Sequence, residues 1–72
     1  MNNYISVEDS LPECNLNFIN KHSVDCIVTD GDNYYIAFLE AVRPDFTYKY
    51  WTSTETDEIL IGITHWKVLD KL

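Results

Sequence analysis

Apolar and polar residues alternate along much of this chain, and the period is two. Such alternation places successive side chains on opposite faces of a strand. In YISVEDSLPE, Ile5 and Val7 alternate with polar residues until Pro12 breaks the run. This predicts a short edge strand, or an extended arm, that leads into a turn. The next stretch, NLNFINKHS (residues 15–23), has no clear period, and Leu16, Phe18 and Ile19 fit either one short helical turn or a packed loop. Val24–Thr29 is β-branched and apolar, and Tyr34–Val42 follows after Asp30-Gly31-Asp32-Asn33. Asp-Gly between two apolar runs signals a hairpin, because Gly and Asn accept the positive φ that tight turns need. Taken alone, YIAFLEAV also suits a helix; the adjoining turn and the Arg43-Pro44 stop favour a strand. In Phe46–Trp51, Phe46, Tyr48 and Tyr50 share one face, and Thr47, Lys49 and Trp51 the other. After the polar turn TSTETDE, Ile59–Thr64 reads as a further strand, with Gly62 marking a bulge or a closely packed neighbour. The expected fold is mainly β: a small antiparallel meander of about four strands, curled or half-barrel, with the arm on one edge and the 15–22 segment open between turn and loop.

The chain has 72 residues, so residues 1–72 form a single small β-rich domain. A domain this short buries only roughly 60% of its unfolded surface, so each large apolar side chain counts. At 46% hydrophobic residues, the chain is too apolar for a disordered tail. Cys14 and Cys26 are too few for a disulfide framework, although one bridge between them stays open. MNNYISVED has neither a basic region nor an apolar run, so no secretory leader is expected. No apolar stretch nears the roughly 20 residues needed to cross a bilayer. The expected location is the cytoplasm of a host cell, with reduced thiols.

Charge changes the picture most. Twelve Asp and Glu face five Lys and Arg, a formal charge of −7. Direct contact with nucleic acid or with an anionic membrane is therefore disfavoured, since both require cations against phosphates. Either the excess only maintains solubility, or carboxylates on one face stand in for phosphates and attract a basic partner.

Candidate chemistry narrows the choice. Asp30-x-Asp32 lacks the further oxygen ligands of a calcium loop and is better read as turn chemistry. Cys14, His22, Cys26 and His65 show no metal-knuckle spacing, and Cys14 with His22 lacks an oxyanion hole or a third orienting group. Neither glycine lies in a phosphate-binding context. So small a sheet also leaves little room for a sugar cleft between paired carboxylates. No catalytic residue, metal or cofactor is assigned. Tyr48, Tyr50 and Trp51 resemble a base-stacking platform, but only Lys49 and Lys67 are near, so a small core or a protein interface suits them better.

The two ends of the chain carry a resemblance. YISVEDSLPE (residues 4–13) and ITHWKVL (residues 63–69) resemble the ends of a small bacteriophage and prophage family, domain of unknown function 551. CIVTDGD, Tyr35-Ile36-Ala37 and the isolated Trp51 match the features between those ends. The resemblance implies phage or prophage origin and a small β-rich fold, and it implies no reaction. It also suggests that the two ends meet. Trp66 should pack on Tyr4, Leu11 and Pro12, with His65 or Thr64 bonded to the Ser6–Asp9 backbone or carboxylates.

These readings converge on a non-enzymatic acidic binding protein that inhibits a host nucleic-acid-handling defence system, of anti-CRISPR or anti-restriction type. It would act as a nucleic-acid mimic against a host protein with a basic nucleic-acid-binding surface. Glu8, Asp9, Glu13, Asp30, Asp32, Glu55, Asp57 and Glu58 are the expected contact carboxylates, joined by Tyr48, Tyr50 and Trp51. The alternatives are a homo-oligomeric small-ligand binding or sequestering domain whose interface holds those aromatics, and a passive phage structural accessory.

Overall fold

The computed structural model describes residues 3–69. Among them are eight strands and no helix: β1 (Ile5–Ser6), β2 (Leu16–Asn17), β3 (Lys21–His22), β4 (Cys26–Thr29), β5 (Tyr34–Ala41), β6 (Lys49–Ser53), β7 (Ile59–Leu60) and β8 (His65–Val68). All pairings are antiparallel. The sheet runs β1-β8-β4-β5, and β6 and β7 follow on the far side of β5. The expected meander is present as β4-β5-β6-β7.

The sheet curls, and chain length requires it. Laid flat, β7 and β8 would stand four strand spacings apart, about 19 Å. The link from Leu60 to His65 reaches at most about 17 Å. The link closes only if β7 swings back toward β8. The residues inside the curl form the core: Cys26, Val28, Ala37, Leu39, Trp51 and Trp66, with Val7, Cys14, Tyr35, Leu60 and Ile63 packed against them. Every second residue of β5 from Ala37 to Ala41 is buried, as the period-two pattern requires.

Between residues 10 and 15 the chain crosses the open side of the curl. At one end the Trp66 Nε1–H donates to the Ser10 carbonyl at 2.9 Å, and at the other the Cys14 thiol donates to the Leu39 carbonyl at 3.5 Å. Pro12, between them, is buried.

Four expectations need correction. The 15–22 segment contains no helical turn; it folds as the β2–β3 hairpin, with Leu16 opposite His22. Strand structure in ILIGIT stops at Leu60, and a separate strand, β8, takes up His65–Val68. Gly62 marks no close neighbour, since nothing lies within 4 Å of where its Cβ would stand. Its φ of +77° is what demands glycine there. Trp51 is not a surface residue, because it is only 6% exposed.

The two chain ends do meet. Ile5 lies opposite Trp66, Ser6 lies opposite His65, and the Val7 N–H donates to the Thr64 carbonyl at 2.9 Å. Trp66 is buried as expected, but its neighbours differ. Tyr4 turns to the other face, against Tyr34 (6.0 Å between ring centres) and beneath the Lys67 ammonium at 5.3 Å. Leu11 is exposed. The reason is parity: in an antiparallel pair Ile5 and Val7 share the Trp66 face, and Tyr4 must point away from it.

Candidate functional site

Antiparallel order decides where the acidic residues gather. β4 runs toward one end of the sheet, and β5 leaves from that end through the Asp30–Asn33 turn. β1 runs the same way beside β8, so Glu8 and Asp9 emerge at that end too. β6 arrives there with Ser53, which places the turn of Thr54–Glu58 alongside. The Thr64 N–H donates to the Thr29 carbonyl at 2.9 Å and the Thr54 N–H to the Ile36 carbonyl at 3.0 Å, so the segments are stitched together.

Glu8, Asp9, Asp30, Asp32, Glu55, Asp57 and Glu58 therefore share one pole of the molecule. No Lys or Arg occurs in these three turns. All but Asp30 are exposed. Glu13 is exposed on the crossing segment and stands apart from the pole.

Each turn is held by its own side chains. The Asp30 Oδ1 accepts the Asp32 and Asn33 N–H groups at 2.9 and 2.8 Å, and its Oδ2 accepts the Tyr35 hydroxyl at 3.3 Å. Those backbone donors hold the Asp30 carboxyl below its usual range. Tyr35 is pushed up by desolvation and by the Asp30 charge. Beneath the turn, the buried Thr29 hydroxyl donates to the Asn33 carbonyl and accepts the Gly31 N–H. In the Thr54–Glu58 turn, Ser53 Oγ accepts the Glu55 and Thr56 N–H groups, and Asp57 takes φ +61°. Ser6 Oγ accepts the Glu8 N–H. Asp30 is thus a structural carboxylate, while its neighbours face solvent.

A small hollow of about 160 Å³ opens at this pole, lined by Ile27, Tyr34, Tyr35, Ile36 and Glu55. Apolar walls, aromatic rings and a carboxylate are groups that can hold a long cationic side chain. Tyr34 and Tyr35 are not among the contact residues expected from sequence. The signal available was their position straight after an acidic turn.

The aromatic part of the expected site is elsewhere. Tyr48 and Tyr50 lie near the opposite pole with ring centres 5.7 Å apart and planes tilted by 53°, and Trp51 belongs to the core. The expected contact set therefore divides into an acidic pole, a separate Glu13 on the crossing segment, a distant tyrosine pair and a core tryptophan.

Neither thiol is activated as a nucleophile. Cys26 is fully buried, its thiol donates to the Val24 carbonyl at 3.3 Å, and burial pushes its pKa up to about 11. Cys14 is likewise raised by burial, and both thiols are free, with no disulfide joining them. Among the described residues no three His, Cys, Asp or Glu side chains group in a way that would hold a metal.

No family model matches the chain, and no curated protein or solved structure matches it either.

Proposed function

We propose that this chain is a non-enzymatic, phage- or prophage-encoded inhibitor that binds a host protein through its acidic pole. The partner is a nucleic-acid-handling defence component, and the carboxylates occupy the basic groove that would otherwise hold DNA or RNA phosphates. One observation carries the reading: antiparallel topology collects three acidic turns, free of Lys and Arg, at a single end of the sheet. Charges placed together on a rigid scaffold act as one multivalent anion and speed association with a basic surface. The Tyr34–Glu55 hollow supplies a seat for one Arg or Lys of the partner, where charge-assisted bonds are strongest.

The test is affinity capture from host lysate at about 50 mM and about 300 mM salt. Capture should be strong at low salt and fall steeply as salt rises. The combined change Asp32→Asn, Glu55→Gln, Asp57→Asn and Glu58→Gln should abolish it while the fold persists. A partner retained by that variant, or bound equally at both salt levels, would overturn the mimicry reading.

A further inference from the structure

The end of the molecule opposite the acidic pole has the reverse character. There the β2–β3 hairpin projects with Phe18 84% and Ile19 66% exposed at its tip. Beside it lies an apolar groove of about 380 Å³, lined chiefly by Leu16, Val24, Val68 and Leu69, which are themselves exposed. The hairpin is anchored, because the Asn20 Nδ2 donates to the Glu40 carboxylate at 2.6 Å and the Asn20 Oδ1 accepts the Arg43 N–H at 3.1 Å. A rigid apolar knob therefore stands next to an apolar groove, and two large exposed residues in succession are unusual at a turn tip.

We infer that this end is a self-association surface, with Phe18 and Ile19 of each chain seated in the groove of a second copy. A two-fold arrangement needs one surface to carry both complementary parts, and this one does. The charge at this end is compatible with a second copy as the occupant. Two chains of −7 repel one another, and the repulsion is least where their acidic poles are farthest apart. The described residues at this end nearly balance, with Lys21, Arg43 and Lys49 against Asp25, Glu40 and Asp45. β5 runs from the acidic pole at Tyr34 to this end at Ala41, about 24 Å and well beyond the Debye length of about 8–10 Å, so joining these ends leaves both acidic poles facing outward and screened from each other. The dimer would then present two anionic poles, although its existence does not depend on what those poles bind.

Sedimentation velocity from about 1 µM to about 1 mM tests this, the span over which a small interface assembles. A dimer population that grows with concentration is expected. Phe18→Asp on the knob, or Val24→Asp in the groove, should each weaken it at least about tenfold with an unchanged circular dichroism spectrum. Both positions are exposed, so neither change threatens the fold. Rising salt should leave the dimer intact or strengthen it, the opposite of its effect on capture by the acidic pole. Either result can thus fail without the other. The inference is overturned if the chain stays monomeric throughout, if either variant dimerises as the wild type does, or if salt dissociates the dimer. It is equally overturned if the knob of a monomer instead carries the chain onto anionic lipid vesicles.

Discussion

At the scale of single residues, Ser23 shows how a buried hydroxyl can replace a piece of sheet. From His22 to Cys26 the chain advances four residues, while the partner strand goes back three, from Glu40 to Ala37. That extra residue is a bulge, and it interrupts the ladder. Ser23, 1% exposed, repairs the break: its Oγ accepts the Leu39 N–H at 2.9 Å and donates to the Val24 carbonyl at 2.8 Å. Ser23→Ala would leave a buried N–H without a partner and should cost about 1–3 kcal/mol in urea unfolding, whereas Ser23→Thr should cost less if its methyl fits. Asp30 works through charge. Its carboxyl titrates below the usual 3.8 when folded, so its contribution is present above that value and is lost as pH falls through the lower folded one. Between about pH 4.5 and about pH 2.5 the wild type should lose more thermal stability than Asp30→Asn, and equal losses would remove Asp30 from this role. The Asp-Gly turn was legible from sequence. Ser23 was not, because a bulge arises from two strands that are out of step.

At the scale of elements, the strands that were legible are those long enough to show alternation. β5, at eight residues, declares itself. The two-residue pairs β2 and β3 leave no periodic trace, and long-range partners decide them. ILIGIT is the instructive error. Its apolar composition suits a strand throughout, but Gly62 turns the chain at positive φ so that β8 can return beside β4. Ile61 is left 86% exposed as a result. His65 and Trp66 now have separate duties. His65 sits half-buried with its Nδ1 2.9 Å from Thr64 Oγ1, and Trp66 fills the core while its N–H bonds the crossing segment. Trp66→Ala should cost about 3–5 kcal/mol, because it removes core volume and the anchor of the 10–15 crossing together. Trp66→Phe keeps the ring and loses the bond, so it should fall well short of that. Equilibrium denaturation of the pair would separate packing from hydrogen bonding, and a Trp66→Ala protein as stable as wild type would refute the clasp between the chain ends.

At the scale of the whole molecule, the structure is a charge dipole with an apolar foot. Concentrating carboxylates at one pole stores self-repulsion that salt relieves. Raising sodium chloride from about 20 mM to about 500 mM should therefore increase the melting temperature of the wild type. The variant in which Asp32, Glu55, Asp57 and Glu58 are neutralised should start higher and respond less. Identical salt responses would mean that these carboxylates do not share a field. The sequence supplied the sign and size of the charge. It could not show that Tyr48 and Tyr50 lie away from the acidic turns, nor that Phe18 and Ile19 stand out at the opposite end.

Local chemistry, read from the chain alone, settled the β class, the Asp-Gly hairpin and the central meander. Each of these follows from interactions between near neighbours or from an alternation that one strand carries by itself. Tertiary structure alone decided the bulge at Ser23, the burial of Trp51, the return of β8 and the sorting of acidic and apolar residues to opposite poles. These depend on which distant segments lie side by side, and that is fixed only when a short link forces the sheet to curl.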